Sequence, residues 1–148
     1  MPIRPAEEPS SCCGAAIPRA ATGRGQPRRG GSAKLGVGHD SADGIKVHTK
    51  GHIDHAVSKN TIAPGGSSGW HRHPGVVFVT VQSGTLTRYD SKCKRDTFTA
   101  GQSFWEAGPH PLVVRNETNH EVINYVTFLA PTGAALRIDS PNPGCAVN

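Results

Sequence analysis

The chain has 148 residues, which suffices for one domain with a hydrophobic core but not for two. No window approaches the roughly 18 consecutive apolar residues of a membrane-spanning helix, which excludes a helical membrane protein. The net charge of +5 suggests a nucleic-acid partner. However, residues 1–38 hold six basic and two acidic side chains, whereas residues 39–148 are close to neutral, so nucleic acid is not the expected partner.

Residues 1–38 are rich in Pro, Gly, Ala, Ser and Arg and show no apolar periodicity. Such a segment cannot bury enough surface to offset its ordering entropy, so we predict a disordered basic tail. A translation start further along the chain is an alternative. The segment contains no apolar stretch typical of a secretory signal. The expected domain is therefore residues 39–148, in the cytoplasm by default.

From about residue 45 the chain consists of short β-prone runs separated by Gly, Pro, Asn and Asp. Many short strands without helical periodicity indicate an all-β sandwich or barrel. The predicted strands are Ile45–Val47, His55–Ile62, Val76–Val81, Thr85–Tyr89, Thr97–Thr99, Ser103–Trp105, Leu112–Arg115, Val122–Leu129 and Leu136–Ile138.

Four cysteines fall into two sets. Cys12 and Cys13 are adjacent in the predicted tail, where a bond between neighbours would be strained. A disulfide between Cys93 and Cys145 would join the C-terminal segment to the domain, and it would imply export to an oxidising compartment. Two free thiols are the alternative, because spacing does not fix a pairing.

Two histidines, His71 and His73, precede a β-branched, aromatic run that ends at Ser83-Gly84. On an extended segment, residues two apart project to the same face. If the strand lines a barrel, both imidazoles point inward and form half of a metal site. The alternative is a pair of histidines at the barrel mouth, solvated or hydrogen-bonded to loop carbonyls.

The frame around these histidines resembles the two sequence motifs of the cupin superfamily, over roughly residues 55–138. The matching residues are Gly69, His71, His73 and Gly84 in the first motif, and Gly101 and Asn116 in the second. Ala107 stands in place of the Pro of the second motif, and Pro109 stands in place of its second Gly. The resemblance implies a single antiparallel double-stranded β-helix, or jelly-roll, barrel. It also implies a homodimer, because cupins commonly pair through their sheets.

Two expected metal ligands are missing from these motifs. Val77 stands where the family has Glu, and Leu112 stands where it has His. His110 lies two residues before Leu112, so on an extended strand it faces the same side. We therefore expect a site of His71, His73 and His110 for Fe, Mn, Ni, Cu or Zn, since imidazole does not select one of these ions.

Glu106 is the acidic residue nearest the second motif. It could act as a general acid or base if it faced inward, although a carboxylate is ordinarily exposed to solvent. Tyr89, Trp105 and Tyr125 are candidates for the wall of a pocket, or for the core.

For function, the resemblance implies a metal-dependent enzyme with dioxygenase, isomerase or lyase chemistry on a small oxygen-rich molecule. A non-catalytic ligand-binding barrel, or a structural barrel that has lost its metal, is the alternative.

Overall fold

The structure, a computed structural model, describes residues 30–35, 39–42 and 44–147. Within these ranges the regular elements are all β-strands, and no described helix is long and apolar enough to cross a membrane. The strands are β1 (Gly30–Leu35), β2 (His39–Ala42), β3 (Ile45–His48), β4 (Ile53–Ile62), β5 (His71–Arg72), β6 (Val76–Ser83), β7 (Thr85–Tyr89), β8 (Arg95–Thr99), β9 (Ser103–Ala107), β10 (Val113–Arg115), β11 (Val122–Pro131) and β12 (Ile138–Asp139).

Four antiparallel sheets organise these strands. The largest has the order β1-β4-β11-β6-β9, and a three-stranded sheet has the order β10-β7-β8. Two strand pairs, β12-β5 and β2-β3, complete the set. Consecutive strands such as β6 and β7 lie in different sheets, and the jelly-roll architecture implied by the motifs is therefore confirmed.

Alternating burial along the central strands shows which face of each is the inner one. In β6 and β11 nearly every second side chain is buried, as expected for strands with one face on a core. The inner face carries a cluster of aliphatic and aromatic side chains. The buried cluster comprises Ala56, Val77, Val79, Val81, Leu86, Phe104, Val122, Val126 and Phe128.

The predicted strands all have counterparts in the structure except Leu136–Ile138, of which only Ile138 lies in a strand, β12. The predicted tail differs at one place, because Gly30–Leu35 forms β1 and pairs with β4. Six residues of the predicted tail are therefore part of a strand. A strand at a sheet edge is held by backbone hydrogen bonds, which composition does not report. Residues 1–29 and 36–38 lie outside the described residues.

The predicted Ser83-Gly84 turn joins β6 to β7 and has a strict requirement for glycine. Gly84 has a φ of +80°, and a Cβ atom there would lie 2.8 Å from the carbonyl oxygen of Glu121. Any side chain would therefore be both strained and obstructed. The motif glycine at this position is explained by backbone geometry rather than by chemistry.

The outer face of the large sheet carries exposed apolar side chains in one row. Val57, Phe78 and Trp105 lie on β4, β6 and β9, and Thr127 of β11 completes the row between Val57 and Phe78. Tyr125, two residues before Thr127, adds a further exposed ring. The expected homodimer stays a prediction.

The C-terminal segment, residues 136–147, folds back over the sheets and is anchored by a disulfide. Cys93, in the turn between β7 and β8, is bonded to Cys145. Cys145 packs with Trp70 and Val113 in a second buried cluster, and the Trp70 indole donates to the carbonyl of Val147. Of the two states left open for these cysteines, the structure shows the bridge.

Candidate metal centre

His71 and His73 are both buried, with 5% and 6% of their surface exposed. The short strand β5 holds His71 between two neighbours: its backbone exchanges hydrogen bonds with Leu112 on one side and pairs with Asp139 of β12 on the other. The rings meet edge to face, with centroids 4.9 Å apart. The prediction that the two imidazoles point into the domain is confirmed.

Each ring uses its Nδ1 atom to bind a backbone carbonyl. Nδ1 of His71 lies 2.8 Å from the carbonyl oxygen of Gly69, and Nδ1 of His73 lies 2.6 Å from that of Leu136. Because a carbonyl oxygen only accepts, Nδ1 is the donor in both hydrogen bonds, and Nε2 is the ring nitrogen left to bind a metal. Metal-binding histidines are oriented in this way, by a hydrogen bond from the second ring nitrogen.

Glu106 is the third member of the cluster, since one ligand atom each from His71, His73 and Glu106 lie within 4.8 Å of one another. Glu106 lies on β9, where its Cα pairs directly with Val77 of β6. Paired residues on adjacent strands project to the same face, so the carboxylate enters the interior beside the position that has Glu in the family motif. It is 5% exposed, so the ordinary expectation of solvent exposure was wrong for this residue.

The contact between Glu106 and His73 requires a positive charge. Oε2 of Glu106 lies 3.1 Å from Nε2 of His73, and both side chains are at most 5% exposed. A carboxylate is an acceptor, and so is an Nε2 whose ring proton sits on Nδ1. Two buried acceptors in contact are unfavourable unless a proton or a metal ion lies between them. The donor set fits a cation.

Burial lowers the pKa of His71 from 6.5 to about 4, and the hydrogen bond to Gly69 opposes this only in part. The ring is therefore neutral, and able to ligate, throughout the physiological range.

The same shift predicts a loss of stability in acid for the metal-free protein. Protons bind His71 below pH 6.5 in the unfolded chain but only near pH 4 in the folded one. Between these values the free energy of unfolding should fall by about 1.4 kcal/mol for each unit of decreasing pH. Urea unfolding from pH 7.5 to 4 measures this slope. In the His71→Gln variant the pH dependence of the unfolding free energy should be smaller by this contribution, whereas His110→Gln should keep the wild-type dependence. Equal slopes in the two variants would contradict the prediction.

His110, the expected third histidine ligand, lies elsewhere. It is exposed and does not belong to the group formed by His71, His73 and Glu106. The expectation assumed that His110 and Leu112 lie on one extended strand. In the structure β10 begins only at Val113, and His110 lies in the connection that follows Gly108, which has a φ of +86°. His110 instead lines a cavity of about 150 Å³ that shares Glu106 with the candidate metal centre.

Of the three aromatic candidates, Trp105 lies on the wall of this cavity and is 64% exposed. Tyr89 and Tyr125 are not among the residues that line it. The Tyr89 hydroxyl donates to Glu117, and its ring packs against the cluster around Cys145. Tyr125 lies on the outer face of β11, because Asn124 and Val126 on either side of it point inward.

Comparisons with known proteins agree with this architecture. No protein-family model matches the sequence, and no curated protein matches it. Among solved structures, a protein with a double-stranded β-helix domain from Klebsiella pneumoniae aligns at 19% identity and a TM-score of 0.51, over 59% of this chain and 76% of that one.

A Cupin 2 conserved barrel domain protein from Salinispora arenicola aligns at 21% identity and a TM-score of 0.46, over 54% of this chain and 64% of that one. At these identities the likeness concerns the fold and not the activity. The strand topology and the alignment with the Klebsiella protein therefore show a double-stranded β-helix fold.

Proposed function

We propose that this protein binds one divalent metal ion through His71, His73 and Glu106, and uses it to bind or transform a small oxygen-rich molecule. The observation that carries the proposal is the buried cluster of His71, His73 and Glu106, in which Oε2 of Glu106 and Nε2 of His73 need a proton or a metal ion between them. The carbonyls on both Nδ1 atoms support it, because they preset the rings for ligation.

The donor set suggests which metals fit. Two imidazoles and one carboxylate suit first-row divalent ions such as Fe²⁺ or Zn²⁺, and three protein ligands leave coordination positions open. One negative ligand leaves a net charge of about +1 at the centre, which favours an anionic or oxygen-rich ligand. When bound, such a metal supplies Lewis-acid activation of a coordinated oxygen.

The surrounding residues have their own parts in this proposal. The carbonyls of Gly69 and Leu136 fix the ring orientations, and burial of His71 keeps its imidazole neutral. Glu106 lies on the wall of the adjacent cavity, so a molecule held there meets the centre directly. The reaction class implied by the cupin resemblance, dioxygenase, isomerase or lyase, remains part of the proposal and is not narrowed by the fold.

Elemental analysis of the purified protein tests the metal. We expect about one ion per chain after reconstitution with Fe²⁺, Mn²⁺, Ni²⁺, Cu²⁺ or Zn²⁺, and near-complete loss in His71→Ala. His110→Ala is the matched control, because His110 is exposed and outside the cluster, and it should retain the metal. Absence of metal from the wild-type protein under all five conditions would contradict the proposal and favour a metal-free binding or structural barrel.

The disulfide supports an additional part of the proposal, that the folded chain works in an oxidising compartment. Bridges of this kind persist in secreted and periplasmic proteins and are rare where thioredoxin and glutathione act. Cys145 is buried among Trp70 and Val113, so the bridge is part of the packed structure rather than an exposed thiol pair.

A further inference from the structure

We propose that Arg88 anchors a small carboxylic acid in the cavity beside the metal centre, a substrate class that rests on the proposed function. Arg88 and Glu106 both line this cavity, and Leu112, whose backbone pairs with His71, lies on the same wall. A molecule in the cavity would therefore contact both Arg88 and Glu106, one of the three proposed metal ligands.

The size of the cavity limits the ligand. Its volume is about 150 Å³. Cavities of this size accommodate a molecule of roughly six non-hydrogen atoms, about the size of benzene. A carboxylic acid of two to four carbon atoms is in this range.

Arg88 is held in place before any ligand arrives. It projects to the inner face of β7, where its guanidinium lies over the rings of Phe98 and Phe104, at 5.5 and 5.3 Å from their centroids. Nη2 donates to Asp96 and Nη1 donates to the carbonyl of Trp105. A cation fixed by aromatic faces and hydrogen bonds loses little conformational entropy when it binds an anion.

The guanidinium also has donors that the protein does not use. A guanidinium carries five N–H groups in a planar fork that matches a carboxylate. Only two donors have acceptors among the contacts described above, and Nε has none in the described part of the chain although it is buried. A carboxylate in the cavity would supply acceptors that the surrounding residues lack.

The net charge beside Arg88 depends on the metal, because three acids face Arg88 and Lys94 when no metal is bound. Asp96 contacts both Arg88 and Lys94, at 2.6 and 3.0 Å, so two cations share one carboxylate. Two other acids face the cavity, Asp90 and Glu106. Asp90 accepts from two backbone N–H groups of its own turn. Glu106 would be neutralised by the metal, so we expect the acid to bind the metal-loaded protein and not the metal-free one.

Calorimetric titration with propionate and propionamide tests this assignment on Zn²⁺-loaded protein. The two probes have the same shape and differ in charge, and we expect propionate to bind at least about tenfold more tightly. Arg88→Gln should lower the propionate affinity by at least about tenfold and leave only the preference that the zinc ion itself gives, while zinc affinity stays within about threefold of wild type. Arg95→Gln is the matched control, because Arg95 pairs with Glu117 on the exposed side of the neighbouring strand and should leave propionate binding unchanged.

The outcomes separate the two proposals. Failure of the wild-type protein to bind zinc overturns the metal site itself. Zinc binding with equal affinity for propionate and propionamide, or an Arg88→Gln variant that binds propionate as well as wild type, overturns the role of Arg88. If Arg88→Gln does not fold, Arg88→Lys replaces it: the charge is kept and the fork is lost, and we expect a loss of propionate affinity of about tenfold.

Discussion

Replacing Cys93 and Cys145 by alanine should lower the free energy of unfolding by about 4 kcal/mol. The bridge spans 52 residues, and closing a loop of that length removes much of the conformational freedom of the unfolded chain. The loss is comparable to the whole stability of many domains of this size, so the variant should melt far below the wild-type protein.

The same change should weaken metal binding, because the bridge fixes the C-terminal segment. That segment provides the Leu136 carbonyl that orients His73, and its strand β12 pairs with His71. Partners of this kind are worth about 10- to 100-fold in metal affinity when they are removed outright. Loss of the disulfide would loosen these contacts without deleting them, so metal affinity should fall by up to about tenfold.

Chemical denaturation and metal titration of the variant, and of the wild-type protein with and without reductant, measure both effects. The control is the double variant Cys12→Ala and Cys13→Ala, which removes the other two thiols and keeps the bridge. It should match oxidised wild type in stability and in metal affinity. A reduced protein as stable as the oxidised one would mean that the bridge constrains nothing.

The histidine pair and the barrel could be predicted from sequence because the signals for them are local. Residues two apart on a strand share a face whatever the rest of the fold does, and this placed His71 and His73 correctly. Gly84 followed from a turn signal in the same way. Composition and turn spacing were enough for the all-β architecture.

The third residue of the candidate metal centre, Glu106, could not be predicted, because its position depends on the register between β6 and β9. Glu106 is 33 positions after His73 in the sequence, and it becomes a neighbour only when β9 pairs with β6. The sequence predicts His110 as the third residue because it is close to Leu112 along the chain. In the structure the third residue is Glu106, which is paired with Val77 on the adjacent strand. The sequence did contain one signal for Glu106. It lies two residues after Phe104, so if Phe104 is a core residue, Glu106 projects to the same inner face of the strand.

The carbonyl that orients His73 could not be predicted from the sequence for a related reason. Leu136 is 63 residues from His73, and its contribution comes from the backbone, which carries no sequence signature. Arg88 was missed because an arginine on a short strand is ordinarily placed at the surface. Its inward position depends on Phe98 and Phe104, which lie on two other strands.

The register between β6 and β9 leads to a prediction with a large expected effect on metal affinity. Glu106→Val should reduce it by at least about 100-fold, because a ligand is lost and not merely an orienting partner. Adding Val77→Glu should restore affinity to within about tenfold of wild type. Directly paired residues have Cβ atoms about 5 Å apart, and Val77 and Glu106 are both buried on the inner face, 2% and 5% exposed.

Phe78→Glu in the Glu106→Val background is the matched control. It adds the same carboxylate one residue further along β6, but on the outer face, where Phe78 is 45% exposed. A carboxylate there has the sheet between it and the histidines, so it should not rescue binding, and being solvated it should not unfold the protein. Calorimetric Zn²⁺ titration of the four proteins distinguishes the cases. Rescue by Glu at position 78, or none by Glu at position 77, would show that the face of the strand does not decide which carboxylate reaches the metal.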